Sequence, residues 1–343
     1  MKKLLNTLYV TTPDAYLSLD GENVVVLKDN EKLLRIPLHN LESVVTFGYT
    51  GVSPALMGSC VKRKIALSFC SNSGRFLAMV TGEYNGSVLL RRAQHRAADN
   101  QDISLGIARN ILVGKLHNSK WVLERGIRDY PQRVEVERLK KVGIFLTNSI
   151  KKLRNDNSYG SLIGIEGEAA TQYFSVINEL ILQNKTDFVF SKRTRRPPLD
   201  RINALLSFVY MLLAHETAGA LAAIGLDPYV GFLHKDRPGR QSLALDIMEE
   251  LRAPLADRFA ITMINTRQIN GNDFISRENG AVYLKDESRK IIINAWQEKK
   301  KEQIIHPFIK EKVEWGLVPH IQSLLLARYL RGDLEAYPPF LWK

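Results

Sequence analysis

Residues 205–225 read LLSFVYMLLAHETAGALAAIG, an apolar stretch interrupted by His215 and Glu216. Its apolar residues surround the helical axis instead of forming one stripe, the pattern of a helix buried on every side. Upstream, Pro198 and Asp200 open the helix, with Asp200 as N-cap, and Gly225 ends it. Such a helix needs other helices around it, so this half of the chain is expected to be a helical domain. Further helices are expected over 89–125, 132–153, 165–183, 242–251, to about 267 after Pro254, and 317–334. IIINAWQEKKKEQIIHPFIKEKVEW reads as one or two more. AVYL, at 281–284, reads as a short strand. GLDPYVGFLHKDRPGRQS is a long loop, KRTRRPPLD a basic loop, and EAYPPFLWK an extended end with little regular structure.

The first 90 residues have another texture. LNTLYV, AYLSLDG, ENVVVLKD, EKLLRIPL, VVTFG, KIALSFC and FLAMVTG read as short strands between turn signals. Asp20-Gly21 marks a tight hairpin, Pro54–Val61 a short helix, and Gly48, Gly51, Gly74, Gly82 and Gly86 bends. The fold class is therefore α+β in two domains: an N-terminal sandwich of antiparallel strands over 1–90, and a larger all-helical catalytic domain over 91–343.

The 343 residues carry 48 Lys and Arg against 36 Asp and Glu, a formal net charge of +12. Such a balance favours polyanionic partners. Residues 85–156 hold fifteen basic and seven acidic side chains. Their first helix sets Ile107, Ile111 and Leu116 against a basic outer face of Arg109, Lys115, Lys120 and Arg125. Cys60 and Cys70 make no disulfide framework and read as small buried hydrophobes of a reducing compartment. MKKLLNTLYV lacks the apolar run and cleavage site of a leader, and no apolar run suits a membrane span. The expected location is the cytoplasm, with nucleic acid preferred over lipid.

Candidate chemistry lies in LALDIMEELR. Asp246, Glu249 and Glu250 share one helical side among apolar neighbours. Carboxylates so placed are costly unless paired or metal-bound, though a solvated face answered by Arg252 has the same spacing. His234 precedes this helix, among Lys235, Arg237 and Arg240, cations that favour a neutral imidazole and could hold phosphate. Glu166, in LIGIEGEAATQYF, stands between glycines at an expected helix start, where acidic residues are common in any case. Gly164 and Gly167 would let another chain or a phosphate approach closely. Glu168 is an equal rival on spacing. A carboxylate–imidazole set suits Mg²⁺ or Mn²⁺ better than structural zinc.

The chain resembles the CRISPR-associated integrase of spacer acquisition, and is most similar to the branch of type I-C systems. The resemblance rests on FGYTGVSPALMGSC, SGRFLAMVTGEYNGSVLLRRAQHR, RNILVGKLHNSKWVL, GIEGEAATQYF, RRPPLDRINALLSFVY and GLDPYVGFLHKDRPGRQSLALDIMEELR, and spans essentially the whole length. It implies metal ligands at Glu166, His234 and Glu249, with Asp246 a neighbour that ligates directly or through water. It implies DNA phosphate contacts at Arg237 and Arg252. Arg240 and the basic loop Lys192, Arg193, Arg195 and Arg196 join them as candidates, and Asn203 matches an Asn beside the family's site. The implied activity is insertion of short DNA fragments into a repeat array by 3′-OH attack on a phosphodiester. Alternatives are a nuclease of branched or single-stranded DNA that does not integrate, and a non-catalytic DNA-binding scaffold. Implied partners are double-stranded DNA, a second copy of the chain paired through the sandwich, and a small ferredoxin-like adaptation protein.

Overall fold

The structure is a computed structural model that describes residues 7–29, 31–71, 76–80, 88–155 and 158–343. The chain forms two compact units: residues 1–85 with 289–302, and residues 86–288 with 303–343. The expected boundary near residue 90 thus gains a return crossing, since a late helical segment rejoins the first unit. The bends expected at Gly74, Gly82 and Gly86 lie outside the described residues.

In the first unit the strands are β1 (Thr7–Val10), β2 (Tyr16–Asp20), β3 (Asn23–Lys28), β4 (Glu31–Pro37), β5 (Ser43–Phe47) and β6 (Gly51–Val52). Helix α1 (Pro54–Lys62) and strands β7 (Ala66–Cys70) and β8 (Phe76–Val80) follow. One sheet has the order β1-β5-β7-β8 and the other β4-β3-β2-β6. Leu8, Val44 and Leu67 of the first sheet share one core with Leu17, Val24 and Val26 of the second, and Leu56 and Cys60 of α1 complete it. The β2–β3 hairpin turns at Gly21, whose φ of +59° suits glycine. The sheets are not purely antiparallel: β1–β5, β5–β7 and β2–β6 are parallel. A parallel pair needs a crossover, and α1 lies on the one between β5 and β7.

The second unit holds α2 (Val88–Asp99), α3 (Gln101–Asp129), α4 (Val136–Asn155), α5 (Tyr159–Ser175), α6 (Arg201–Ile224), α7 (Ser242–Leu251) and α8 (Arg258–Asn265). A wide π-helical turn, Arg252–Asp257, joins α7 to α8. Two short hairpins interrupt the helices: β9 (Phe274–Ser276) with β10 (Val282–Leu284), and, beyond α9 (Asp286–Lys301), β11 (Gln303–Ile305) with β12 (Lys312–Glu314). This second hairpin replaces helix expected there, because Pro307 cannot continue one. Helix α10 (Val318–Leu330) is the last.

Helix α6 begins and ends as its sequence predicts. Asp200 accepts a hydrogen bond from the Asn203 backbone N–H, and Gly225 closes the helix at φ +94°. By length and composition α6 could cross a membrane, but most of it is buried inside the unit. The basic outer face expected on α3 is corrected at Lys115, while Lys120 and Arg125 stay partly exposed. Lys115 is largely buried, and the helix packs against α2, α4, α5 and α7.

The C-terminal end has no regular structure, yet Tyr337, Phe340 and Trp342 are buried. Its anchor follows from Pro254, which has no N–H for the carbonyl four residues earlier, that of Glu250. Asn118 of α3 donates to that carbonyl at 2.7 Å and to the Phe340 carbonyl at 2.8 Å, and accepts from the Trp342 N–H at 2.9 Å. The Glu250 carboxylate accepts from the Phe340 N–H and from Gln322, both at 2.8 Å.

Burial pushes the Glu250 carboxyl up to about 8, against the opposing hydrogen bonds from Phe340, Tyr337 and Gln322. Between its ordinary value of 4.5 and about 8 the folded state therefore holds a proton that the unfolded chain has lost. This group makes stability fall as pH rises across that window. Thermal melts of Glu250→Gln, which keeps the shape without the titration, are expected to flatten the decline of Tm between pH 6 and pH 8. An unchanged pH profile would count against the buried, protonated acid.

Candidate metal centre

The site is built around the loop 225–241, which four helices grip. From α2, Gln94 donates to the Asp227 and Val230 carbonyls and accepts from the Asp227 N–H. Ser104 of α3 donates to the Phe232 carbonyl, and Tyr159 of α5 to that of Leu233. Asp246 of α7 makes the strongest claim. Its carboxylate accepts from the backbone N–H groups of Phe232 (2.6 Å), Leu233 (2.9 Å) and His234 (2.9 Å), and from His234 Nδ1 (2.6 Å).

A carboxylate offers about four acceptor positions, and these four donors fill them. Asp246, a candidate metal ligand in the sequence, thus has its acceptor positions taken by the loop backbone and the His234 ring. To bond an acceptor-only carboxylate, His234 Nδ1 must carry the proton, and the neutral ring then offers the Nε2 lone pair. Nε2 lies 4.0 Å from Glu249 Oε1. Gly231 makes this packing possible, since a Cβ there would meet Asp246 Oδ2 and Ser242 Cβ at 2.8 Å.

Glu249 sits one helical turn beyond Asp246, with 3% of its side chain exposed. Arg252 pairs with its Oε1 at 2.9 Å and Lys115 Nζ with its Oε2 at 2.8 Å. Burial pushes the Glu249 carboxyl up, but Arg252 and Lys115 outweigh it and hold the group down at about 2. Glu166 lies in the interior of α5 and not at a helix start, so the first-turn explanation for an acid there does not apply. It too is ion-paired with Lys115 Nζ. Glu166 lines the pocket that holds Glu249, Arg252, Tyr173 and Tyr210, whereas Glu168 is exposed. Between Gly164 and Gly167, Glu166 has an open flank, for a Cβ at either glycine would meet nothing within 4 Å.

The donors fit a hard divalent cation. Glu249 Oε2 is buried and makes no hydrogen bond, leaving an acceptor whose nearest partner is a cation. Among the described residues no group of three His, Cys, Asp or Glu side chains stands close enough together to hold a metal ion. Glu166 and Glu249 share the Lys115 ammonium.

A family profile for CRISPR associated protein Cas1 matches residues 8–298. The chain belongs to the Cas1 family. It is 48% identical to a CRISPR-associated endonuclease Cas1 of Chlorobaculum tepidum, over the full length of both proteins. Its fold is similar to that of a casposase bound to integration product, with a TM-score of 0.83 at 23% identity, covering 98% of this chain and 93% of that one. A chain of a Cas6-RT-Cas1–Cas2 complex is also similar, with a TM-score of 0.80 at 25% identity, covering 98% of this chain and 36% of that one.

Within this Cas1 fold the candidate DNA contacts divide into two groups. Arg237 and the basic-loop residues Lys192, Arg195 and Arg196 are exposed, and Arg195 also lines the pocket. The rest are tied into the protein. Arg252 is largely buried, paired with Glu249 and 5.0 Å from the Tyr210 ring centroid, and it too lines the pocket. Asn203 is buried, bonded to Asp200, the Lys192 carbonyl, the Thr194 N–H and Arg193. Arg193 is itself held by Thr194, Ser207 and Tyr210. These two residues fasten the basic loop to α6. Arg240 bonds the Lys235 carbonyl and Ser242, shaping its own loop.

Sequence reasoning missed Lys115 as a member of the site, and also the buried triad of Tyr173, Tyr210 and Asp257. Both tyrosines donate to the Asp257 carboxylate, at 3.0 and 2.5 Å. The signal for Lys115 was its setting, since Gly114, Asn118 and Ser119 mark the same helix face with small and amide side chains.

Removal of the orienting group should loosen His234. Asp246→Asn turns one acceptor into an amide facing N–H donors, at a cost of about 3 kcal/mol in stability. Gly231→Ala forces the same carboxylate aside. Both variants are expected to bind Mn²⁺ at least about tenfold more weakly in calorimetric titrations. Wild-type affinity in a folded Asp246→Asn protein would contradict the orienting role.

Proposed function

We propose that this chain is a metal-dependent DNA integrase that inserts short DNA fragments into a CRISPR array, with Glu166, Glu249 and His234 Nε2 as its metal ligands. The observation that carries this reading is the pairing of Glu166 and Glu249, from two different helices, with one cation, in a pocket that Arg195 also lines, with His234 Nε2 4.0 Å from Glu249. Two carboxylates and one imidazole suit Mg²⁺ or Mn²⁺, with the imidazole tilting the set mildly towards Mn²⁺. The bound ion supplies Lewis-acid polarisation of the scissile phosphoryl group and stabilises the leaving oxygen.

The chain's own groups do the rest. Asp246 fixes the His234 ring, and Arg252 keeps Glu249 ionised and aimed. Arg237, Lys192, Arg195 and Arg196 hold the DNA backbone and leave its sequence largely unread. The attacking 3′-OH belongs to the incoming fragment; water in its place would make the same site a nuclease. The first unit serves as the dimerisation domain and the second as the catalytic domain. Leu33 and Leu34, exposed on the edge strand β4, support pairing of two copies through their sandwiches. The similarity to a chain of a Cas1–Cas2 complex supports a second protein partner, which we take to be a small ferredoxin-like subunit. The proposed setting is the cytoplasm.

Strand-joining assays with a labelled fragment test the reaction. The complex with its partner should join a 3′-OH fragment to a repeat-containing plasmid and fail with a 3′-deoxy fragment. Glu166→Ala and Glu249→Ala should each abolish joining. Cutting without joining would establish the nuclease reading instead.

Backbone recognition also fixes a salt dependence. Arg237→Ala should weaken DNA binding about equally for unrelated sequences and lower the log–log salt slope by about 1 in fluorescence titrations. Sequence-selective loss would reassign Arg237 to base contact.

A further inference from the structure

Lys115 stands at the centre of the proposed ligand set without being a ligand. Its Nζ is ion-paired with Glu166 and with Glu249 Oε2, and only 12% of its side chain is exposed. The two glutamates come from different helices, α5 and α7, and Lys115 reaches them from a third, α3. Two like charges brought together in a largely dry site repel unless a cation intervenes. In this structure the ammonium is that cation. A divalent ion shared by Glu166 and Glu249 would approach the same oxygens, and the two cations cannot hold them together.

The other cation on Glu249 cannot be the one that leaves. Arg252 is as little exposed as Lys115, but its guanidinium is held over the Tyr210 ring, and it takes Glu249 Oε1 where Lys115 takes Oε2. Lys115 is a point charge on a flexible stem. It lines the pocket that Arg195 also lines, so a displaced ammonium has somewhere to go. There its natural partner is a phosphate.

We propose that Lys115 is a built-in counter-ion that couples metal loading to DNA. Without metal it holds Glu166 and Glu249 in register. A divalent ion must displace it, which weakens metal binding by the free protein. DNA phosphate in the pocket receives the displaced ammonium, so DNA tightens metal binding and metal tightens DNA binding by the same factor. The site then arms itself where a substrate is present. This inference rests on the ligand assignment proposed above, and its test separates the two.

The test is Mn²⁺ binding to the purified full chain, read by calorimetry and by electron paramagnetic resonance. It is run with and without a duplex whose 3′ ends are phosphorylated and cannot join. Wild type should bind Mn²⁺ more tightly with the duplex than without it. Lys115→Met should melt at a lower temperature without metal, bind Mn²⁺ about tenfold more tightly than wild type without DNA, and show no enhancement by DNA. Lys115→Arg, which keeps the charge, should retain the enhancement. Circular dichroism checks that the variants fold, and if Lys115→Met does not, a wild type whose Mn²⁺ affinity ignores the duplex still overturns the proposal. Equal or weaker Mn²⁺ binding by a folded Lys115→Met would overturn it as well. Failure of wild type to bind Mn²⁺ under any condition would instead remove the ligand assignment itself.

Discussion

Helix α7 carries Asp246, Glu249 and Glu250 within five residues, and all three are buried. Ionised carboxylates cannot be withdrawn from water together without compensation, and each of these finds a different kind. Asp246 is met by hydrogen-bond donors, three of them backbone N–H groups of one loop. Glu249 is met by two cations. Glu250 is met by the C-terminal segment and by burial that keeps its proton on. The surrounding architecture follows from these solutions. The loop 225–241 must pass close over α7, α3 must offer a cation, and the chain end must return to the back of the helix.

The division also separates roles that share one spacing. Charge held by backbone N–H groups is locked, because the donors cannot leave without unfolding the loop. Charge held by a lysine is exchangeable, because the ammonium can move on its stem. Glu249 is therefore suited to bind and release a cation, and Asp246 to hold an imidazole still. Arg252 lies between these cases. Its stacking on Tyr210, which in turn donates to Asp257, makes it a fixed charge that keeps Glu249 ionised whether or not another cation is bound.

What could be read from the sequence was what depends on near neighbours. Asp200 and Gly225 delimit α6 by local capping, and Ser242–Leu251 is helical by its own periodicity. The Asp20-Gly21 hairpin is likewise a local matter. The misreadings involve partners far along the chain. Lys115 looks like a surface lysine until Glu166 and Glu249 fold against it, 51 residues away in the case of Glu166. Asn203 and Arg193 look like polar groups free to meet DNA until the basic loop folds back over α6. The parallel strand pairs depend on which sheet each strand joins, and that choice is not written in strand composition.

Helix α3 shows how such distant partners become a single device. Gly114, Lys115, Asn118 and Ser119 lie on one side of it, since their offsets of one, four and five residues span little more than a turn. Gly114 lets the Glu250 side chain and Pro339 pack close, each about 3 Å from where its Cβ would stand. Lys115 joins Glu166 to Glu249, and Asn118 ties the α7 backbone to the C-terminal segment. Ser119 continues the wall of the pocket. One helix face therefore sets the position of α7 from behind and supplies the cation in front. A shift of α3 along its axis would move the counter-ion and the brace together. Coupling the two in this way keeps Glu249 aligned with Glu166 even though they stand on separate helices, a requirement for any cation that must bind both.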